Sequence, residues 1–325
     1  MTTLLAADIG GTNSRFALFR VEEDDLLVLE GIQWLPTTGA TSFAHLLEQL
    51  HASEFPLTVT SADISVFAIA GPVEHGTYSA PPNIPWDIDL KRDLDTEDLV
   101  RKTRLINDFV AQAYACRSPV GLAARPVLPG TAVADGVIAV LGAGTGLGKA
   151  TLVPVPGQGF LALPSEGGHA CFPFVSSREW AFQEFYRDKS GEQVITGDLV
   201  VSGRGLRYLH WFLSGNDLEP KQVSALFAEG RAGETLDWAA TFLGRVCRDY
   251  ALDTLALGGL YVAGGVAAKN PELLTHPSFQ REFHASPTMG HLLANIPVFL
   301  IDNEDSGLWG AAFYGRQSMQ QRDRA

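Results

Sequence analysis

Residues Leu4–Phe19 read LLAADIGGTNSRFALF, and the use made of the two central glycines decides the fold. An apolar run ends in Asp8, the turn residues Gly10, Gly11, Thr12 and Asn13 follow, and a second apolar run begins. A dinucleotide-binding loop needs G-x-G-x-x-G between a strand and a helix. Here the glycines are adjacent, and the segment after them places Phe16 and Leu18 on one face with Arg15 beginning the other. That two-residue alternation belongs to a strand. The expected unit is therefore strand, glycine turn, strand, with Asp8, Gly10, Gly11, Thr12 and Asn13 at its tip.

The pattern returns at residues 136–155, GVIAVLGAGTGLGKATLVPV, again an apolar strand, a Gly-Thr turn and a second strand. Two such units suggest an internal repeat in which each half supplies one glycine hairpin. A third glycine turn, GGLYVAGGV from Gly258, follows a long helical pattern from Glu234 to about Leu257. In that pattern Trp238, Phe242, Val246 and Tyr250 recur at four-residue spacing, which makes a buried helix face. Elsewhere a strand is expected over Val28–Trp34, a helix over Ser42–Leu50 capped by Ser42 or Thr41, and a central strand over Asp63–Ala70. Ser79–Asp89, SAPPNIPWDID, reads as an irregular but ordered loop. A strand ends at Asn107-Asp108 before a helix starting at Phe109. The strand Val298–Ile301 then precedes a C-terminal helix from about Ser306. Strands and helices alternate throughout, so the class is α/β.

Composition bounds the partners. The chain has 325 residues, 46% hydrophobic and 19% charged, with a net charge of −13. That is an ordinary globular composition, long enough for one large or two medium domains. An acidic balance argues against nucleic acid or an anionic membrane as the main partner, since both need a basic face. The three cysteines, Cys116, Cys171 and Cys247, are widely spaced and make no C-x-x-C pair, which speaks against a zinc knuckle or a disulfide framework. No basic leader precedes the first strand, and no apolar run reaches the length of a membrane span. The expectation is a soluble cytoplasmic protein.

Four places can carry chemistry. Glycine lets a backbone approach a ligand closely and take positive φ, so N–H groups at the two Gly-Thr tips can converge on phosphates. A carboxylate at Asp8 would repel them unless a cation such as Mg²⁺ intervenes. The plain alternative is two tight turns with no ligand. Asp108, at a strand-to-helix junction, is either the N-cap of the following helix or a general base. An ordinary aspartate is a weak base for an alcohol, but the loose transition state of phosphoryl transfer releases that proton late. Glu166-Gly167-Gly168-His169 offers a carboxylate and an imidazole, suited to the hydroxyls of a polyol; a structural histidine is the bland reading. Zinc there would want more ligands than Cys171. Asp198, before Val200-Val201-Ser202-Gly203-Arg204-Gly205-Leu206, reads by itself as a solvated loop acid.

Together DIGGTNSRFALF, LINDFVAQA, GAGTGLGKA, PSEGGHACF, VVSGRGL and GGLYVAGGVAAK, in that order, resemble bacterial-type glucokinases, within the hexokinase branch of the actin-like ATPase superfamily. The resemblance spans nearly the whole chain. It implies an actin-like (ribonuclease H-like) α/β fold of two domains with an interdomain cleft, residues 1–116 plus 309–325 forming the smaller and 117–308 the larger. It further implies ATP-dependent phosphorylation of glucose. Asp108 would be the base acting on the 6-hydroxyl, and Asn107, Glu166, His169 and Asp198 would bind the sugar. Asp8 would hold Mg²⁺ through water, and Gly10, Gly11, Thr12, Asn13, Gly144, Thr145, Gly264 and Gly265 would line the nucleotide and its phosphates. Mg²⁺ with ATP is the expected co-substrate, with no tightly bound cofactor. A homodimer is compatible with the class, although the sequence names no interface for it.

One position departs from the pattern: Asp198 stands where these glucokinases carry glutamate, which puts sugar preference in question. The rivals are a kinase for mannose, fructose or an amino sugar, a non-catalytic sugar sensor on the same fold, and an actin-like filament or chaperone ATPase. Repressor–kinase (ROK) relatives usually carry a Cys-rich zinc motif near their E-x-G-H, and none is present. The appended helix-turn-helix of sugar-sensing regulators is also missing from the pattern.

Overall fold

The computed structural model describes residues 2–324. It is a mixed α/β structure in which the chain divides into two compact units. One comprises Met1–Ala123, Val155–Ala162 and Asn303–Ala325, and the other Ala124–Pro154 and Leu163–Asp302.

The first unit is built on strands β1 (Thr2–Ile9), β2 (Asn13–Val21), β3 (Leu27–Pro36), β4 (Ile64–Ile69) and β7 (Thr103–Asn107), in the order β3-β2-β1-β4-β7. The opening stretch is the expected hairpin, β1 pairing antiparallel with β2 so that Asp8 faces Arg15 and Ile9 faces Ser14. β4 runs parallel to β1, and β7 parallel to β4. All six residues of β4, ISVFAI, are buried, as a parallel strand covered on both faces requires. On one face the helix Phe43–Ala52, N-capped by Ser42, sets Phe43 edge-on to Phe67 with ring centres 5.2 Å apart. On the other lies the helix Ser306–Arg324, whose Trp309 meets Phe19 at 4.9 Å. That helix approaches its neighbours closely at Gly310, where a Cβ would come 1.7 Å from the Ala111 carbonyl oxygen.

The Pro-rich stretch is the expected irregular, ordered loop over residues 80–87, and only its ends depart from that reading. It closes as a small ribbon, β5 (Tyr78–Ser79) pairing antiparallel with β6 (Ile88–Asp89). Trp86 anchors it by donating to the Ala40 carbonyl at 3.0 Å. Two-residue strands are too short for periodicity to register.

The second unit contains β8 (Arg125–Leu128), β9 (Ile138–Ala143), β10 (Leu147–Val155), β11 (Gly159–Ser165), β12 (Gly259–Ala263) and β13 (Val298–Leu300). Their order is β11-β10-β9-β12-β13-β8. β9 and β10 form the second glycine hairpin, β12 is parallel to β9, and β13 is parallel to β12. Apart from the added edge strand β8, this repeats the order of the first sheet. The repeat suggested by the two glycine turns is thus one of topology. The third glycine turn differs in kind: β12 passes through Gly264, at φ 88°, into the helix Gly265–Lys269.

The core of this unit gathers on the helix Glu234–Asp253, where Phe242, Val246 and Tyr250 are buried and Trp238 half-buried. Within it lies a charge, Arg245, with 1% of its side chain exposed. It donates to both Glu179 oxygens at 2.7 and 3.1 Å, to Glu282 at 2.8 Å and to the Pro173 carbonyl at 2.8 Å. Such pairing is what keeps a desolvated ion tolerable. Among the described residues no helix is long and apolar enough to cross a membrane.

Candidate active site

In open α/β sheets, ligands gather outside the carboxyl ends of the parallel strands. In the first unit that edge carries both acids singled out above. Asp8 is in register with Ala68 of β4, and Ala68 with Ile106 of β7. Asp8 and the Asn107-Asp108 pair therefore lie about two strand spacings apart, roughly 10 Å.

At the first turn, the Gly10 N–H donates to the Asn13 carbonyl at 3.1 Å, and Thr37 N–H donates to the Thr12 carbonyl at 2.9 Å. Thr12 and Asn13 are exposed. Neither glycine needs a left-handed backbone. Gly10, Gly11, Gly144 and Gly265 all keep ordinary φ, and among the glycines expected to line the phosphates only Gly264 has positive φ. Gly11 is required by close approach instead, since a Cβ there would sit 2.8 Å from the Asn83 carbonyl oxygen.

Asp8 is ion-paired with its cross-strand neighbour Arg15. Arg15 also donates to the Glu304 carbonyl at 2.6 Å and to Asp305 at 3.3 Å, and lies over the Trp34 ring at 5.2 Å. Read in sequence, Arg15 was a strand residue and no more; the hairpin register is the signal that links it to Asp8. Among the described residues no three His, Cys, Asp or Glu side chains gather as a metal site. Mg²⁺ asks for less, usually keeping waters and taking one or two carboxylates with the substrate's phosphates. A single carboxylate, 24% exposed beside an exposed turn, fits that demand.

At the end of β7, the assignment of the cap changes. Asn107, not Asp108, caps the helix Asp108–Ala115. Asn107 keeps the extended backbone of the strand, which turns its Oδ1 toward the N–H groups of Phe109 and Val110 at 2.9 and 3.2 Å. Its Nδ2 donates to the Gly71 carbonyl at 3.1 Å. Asp108 is the first helical residue, half-buried, with Oδ1 accepting from Phe109 N–H at 2.9 Å.

In the second unit, three glycine segments far apart in the chain meet at the ends of β9 and β12. Gly144 N–H donates to the Gly146 carbonyl at 2.8 Å, and Gly203 N–H donates to the Gly144 carbonyl at 3.0 Å. A Cβ on Gly264 would come 2.5 Å from the Ala143 carbonyl oxygen, and one on Gly144 would reach the Gly265 nitrogen at 4.0 Å. Thr145 is exposed at the tip. Asp198 is no solvated loop acid. It sits half-buried in the short helix Gly197–Val200, and its Oδ1 accepts from Leu147 N–H at 2.6 Å. The turn leaves no room for a side chain there, since a Cβ on Gly146 would lie 2.1 Å from that oxygen.

Glu166 and His169 stand on one short turn, closed by His169 N–H donating to the Glu166 carbonyl at 3.0 Å. Their side chains are about two-thirds exposed and 3.7 Å apart. Gly168 is buried against β10, where a Cβ would come 1.9 Å from the Leu147 carbonyl oxygen. Cys171 is free and exposed, whereas Cys116 and Cys247 are buried, and burial raises both of their thiol pKa values.

Paired glycine hairpins at strand ends, each with a threonine at its tip, and acids along the same edges place the protein among α/β phosphotransferases. Residues 5–318 match the glucokinase family. A glucokinase of Pseudomonas paraeruginosa is 30% identical, the match covering 98% of this chain and 94% of that protein. A glucokinase of Sinorhizobium medicae is 32% identical, over 96% of this chain and 92% of that one. The solved structure of a glucokinase from an Antarctic psychrotroph superposes with a TM-score of 0.82 at 28% identity, covering 97% of this chain and 98% of that one. The chain belongs to the glucokinase family and is an enzyme.

Proposed function

We propose that the chain transfers the terminal phosphoryl group of ATP to the 6-hydroxyl of glucose, giving glucose 6-phosphate and ADP. Family membership over nearly the full chain supports the reaction. The observation in the site that carries it is the placing of Asp108 at the same sheet edge as Asp8 and the first glycine turn.

In this reading Asp108 orients the sugar hydroxyl and accepts its proton as the new P–O bond forms. Because the transition state is loose, a carboxylate suffices as base. Asn107 helps through its remaining amide N–H, its Oδ1 being occupied by the helix cap. Glu166 and His169 bind further hydroxyls, as does Oδ2 of Asp198, whose Oδ1 is held by Leu147. Gly10, Gly11, Thr12, Asn13, Gly144, Thr145, Gly264 and Gly265 line the nucleotide phosphates with backbone N–H groups and hydroxyls. Mg²⁺ bound with ATP would neutralise phosphate charge, and Asp8 would hold it through water. The doubled strand order supports membership of the actin-like ATPase superfamily. ATP as donor suits work in the cytoplasm.

The test is ADP release from Mg-ATP with glucose, mannose, fructose, glucosamine and N-acetylmannosamine, for the native chain and Asp108→Asn. Asparagine keeps the oxygen that meets Phe109 N–H but cannot take the proton. Glucose-selective turnover, with kcat lower by about 10²–10⁴-fold in the variant, is expected for loss of a general base. Selective turnover of another sugar would move the specificity, with Asp198 the first residue to examine. Full activity in Asp108→Asn would end its assignment as base.

A further inference from the structure

Beside the Glu166–His169 turn lies a pocket of about 400 Å³. Its wall includes Ser165, Gly167, Ala170 and Cys171 of the turn segment, and neither Glu166 nor His169 lines it. Lys149 enters it from β10, two residues beyond Leu147 and on the same strand face. Its ammonium donates to the Gly167 carbonyl at 3.3 Å and sits 5.1 Å from the centre of the Tyr250 ring. Tyr250 is fixed in turn by a 2.8 Å hydrogen bond between its hydroxyl and Thr151 Oγ1. Burial lowers the lysine pKa, while Asp253, Cys247 and Asp249 act in the opposite sense. Withdrawing an ammonium from water is costly, and this one is met directly by the loop carbonyl and the ring face, with Asp249 and Asp253 on the wall of the same pocket.

We propose that Lys149 is a positioning residue for the sugar-binding turn: it holds the Gly167 carbonyl and so fixes where Glu166 and His169 point, without touching the sugar. The inference rests on the assignment of Glu166 and His169 to glucose made above. Other restraints on the turn do different work. Gly168 against the Leu147 carbonyl sets how closely the turn lies on the strand. The bonds from Gly167 N–H to Ser165 Oγ, from His169 N–H to the Glu166 carbonyl and, at 3.4 Å, from Ala170 N–H to the Gly167 carbonyl itself are internal to the segment and move with it. Gly197 N–H holds the end of the segment at the Ala170 carbonyl, beyond the two sugar-binding side chains. The lysine ties the turn to the sheet through a charged donor, and it reaches the peptide that joins Gly167 to Gly168.

Lys149→Met keeps an aliphatic stem over Tyr250 and removes the donor, and Lys149→Arg restores a donor. KM for glucose at saturating Mg-ATP, KM for ATP at saturating glucose, and the calorimetric Kd of glucose without nucleotide are measured for both, with Glu166→Gln alongside. Lys149→Met is expected to raise KM and Kd for glucose about tenfold, the effect of losing one hydrogen bond to a charged group. KM for ATP and the melting temperature stay as in the native chain, and Lys149→Arg recovers most of the glucose affinity. Unchanged glucose constants in Lys149→Met overturn the proposal. So does a parallel loss of both substrates with a lowered melting temperature, which is the mark of a general structural role. If Glu166→Gln itself leaves glucose binding unchanged, the sugar assignment falls and the proposal with it. If Glu166→Gln weakens binding and Lys149→Met does not, only the role of Lys149 is refuted.

Discussion

Adding one methyl group at Gly168 tests how the sugar turn is held. Gly168 has ordinary φ, so alanine meets no backbone strain there, and the obstacle is contact alone. The new Cβ would lie 1.9 Å from the Leu147 carbonyl oxygen and 3.0 Å from its carbon, where real Cβ contacts do not come closer than 3.0 Å. Turn and strand must therefore part by more than about 1 Å, since close-packed interiors leave no slack for a methyl. The strand is the stiffer side. Leu147 is in register with Ala143 of β9, and its N–H is held by Asp198 at 2.6 Å. The turn moves, carrying Glu166 and His169, and the Lys149 bond, already 3.3 Å, is lost. A misplacement of about 1 Å costs on the order of 10²-fold in rate, so kcat/KM for glucose should fall by about that factor. Overpacking of this kind costs about 1–3 kcal/mol, enough to lower the melting temperature by several degrees without preventing folding. Initial rates against glucose at saturating Mg-ATP, with a thermal melt monitored by circular dichroism, give both numbers. A Gly168→Ala enzyme with native kcat/KM for glucose would refute either the placing of the turn or its role.

Two further outcomes concern stability. Arg245→Met leaves Glu179 buried without its cation, while Glu282 keeps Arg248 at 2.9 Å, and breaking such a buried pair costs about 3–5 kcal/mol; chemical denaturation of the variant should show that loss, and a change under about 1 kcal/mol would mean that the network is as weak as a surface pair. His210 is buried with Nδ1 on Thr235 Oγ1 at 3.0 Å, and burial holds its pKa below the usual histidine value. The unfolded chain then binds the proton more readily than the folded one, so this stability is full above about pH 6.5 and is lost progressively as pH falls below that. Denaturation midpoints from pH 7.5 to 5 should decline more steeply for the native chain than for His210→Asn, and parallel curves would reject the assignment. His284, shifted the same way by burial, adds a decline in the same sense that the variant retains.

Much of the local structure was legible from residue order. The opening hairpin, the buried strand over Ile64–Ile69, the helix capped by Ser42 and the apolar face of the Glu234 helix all came from periodicity and capping chemistry. These are decided within a few residues, because alternation, the 3.6-residue repeat and turn residues act over a few peptide units. The two Gly-Thr turns also pointed correctly to a repeated unit, and the sheets share a strand order. The small ribbon at Tyr78–Asp89 escaped because its strands are two residues long.

By itself, then, the sequence determined the secondary structure around the site and the inventory of groups available for chemistry. The tertiary structure alone decided what each group does with its atoms. Asn107 and not Asp108 became the cap because the strand stays extended through Asn107, and extended backbone at the last strand residue is the cap geometry. Asp198 binds Leu147, 51 residues away, and Arg245 binds Glu179 at a separation of 66. Lys149 reaches Gly167 only because β10 and the turn close on each other at a glycine. No local pattern encodes such pairs. They form when distant segments are brought together by burial of the apolar faces of two sheets, and the polar groups caught in that closure must then find partners among whatever it has placed beside them.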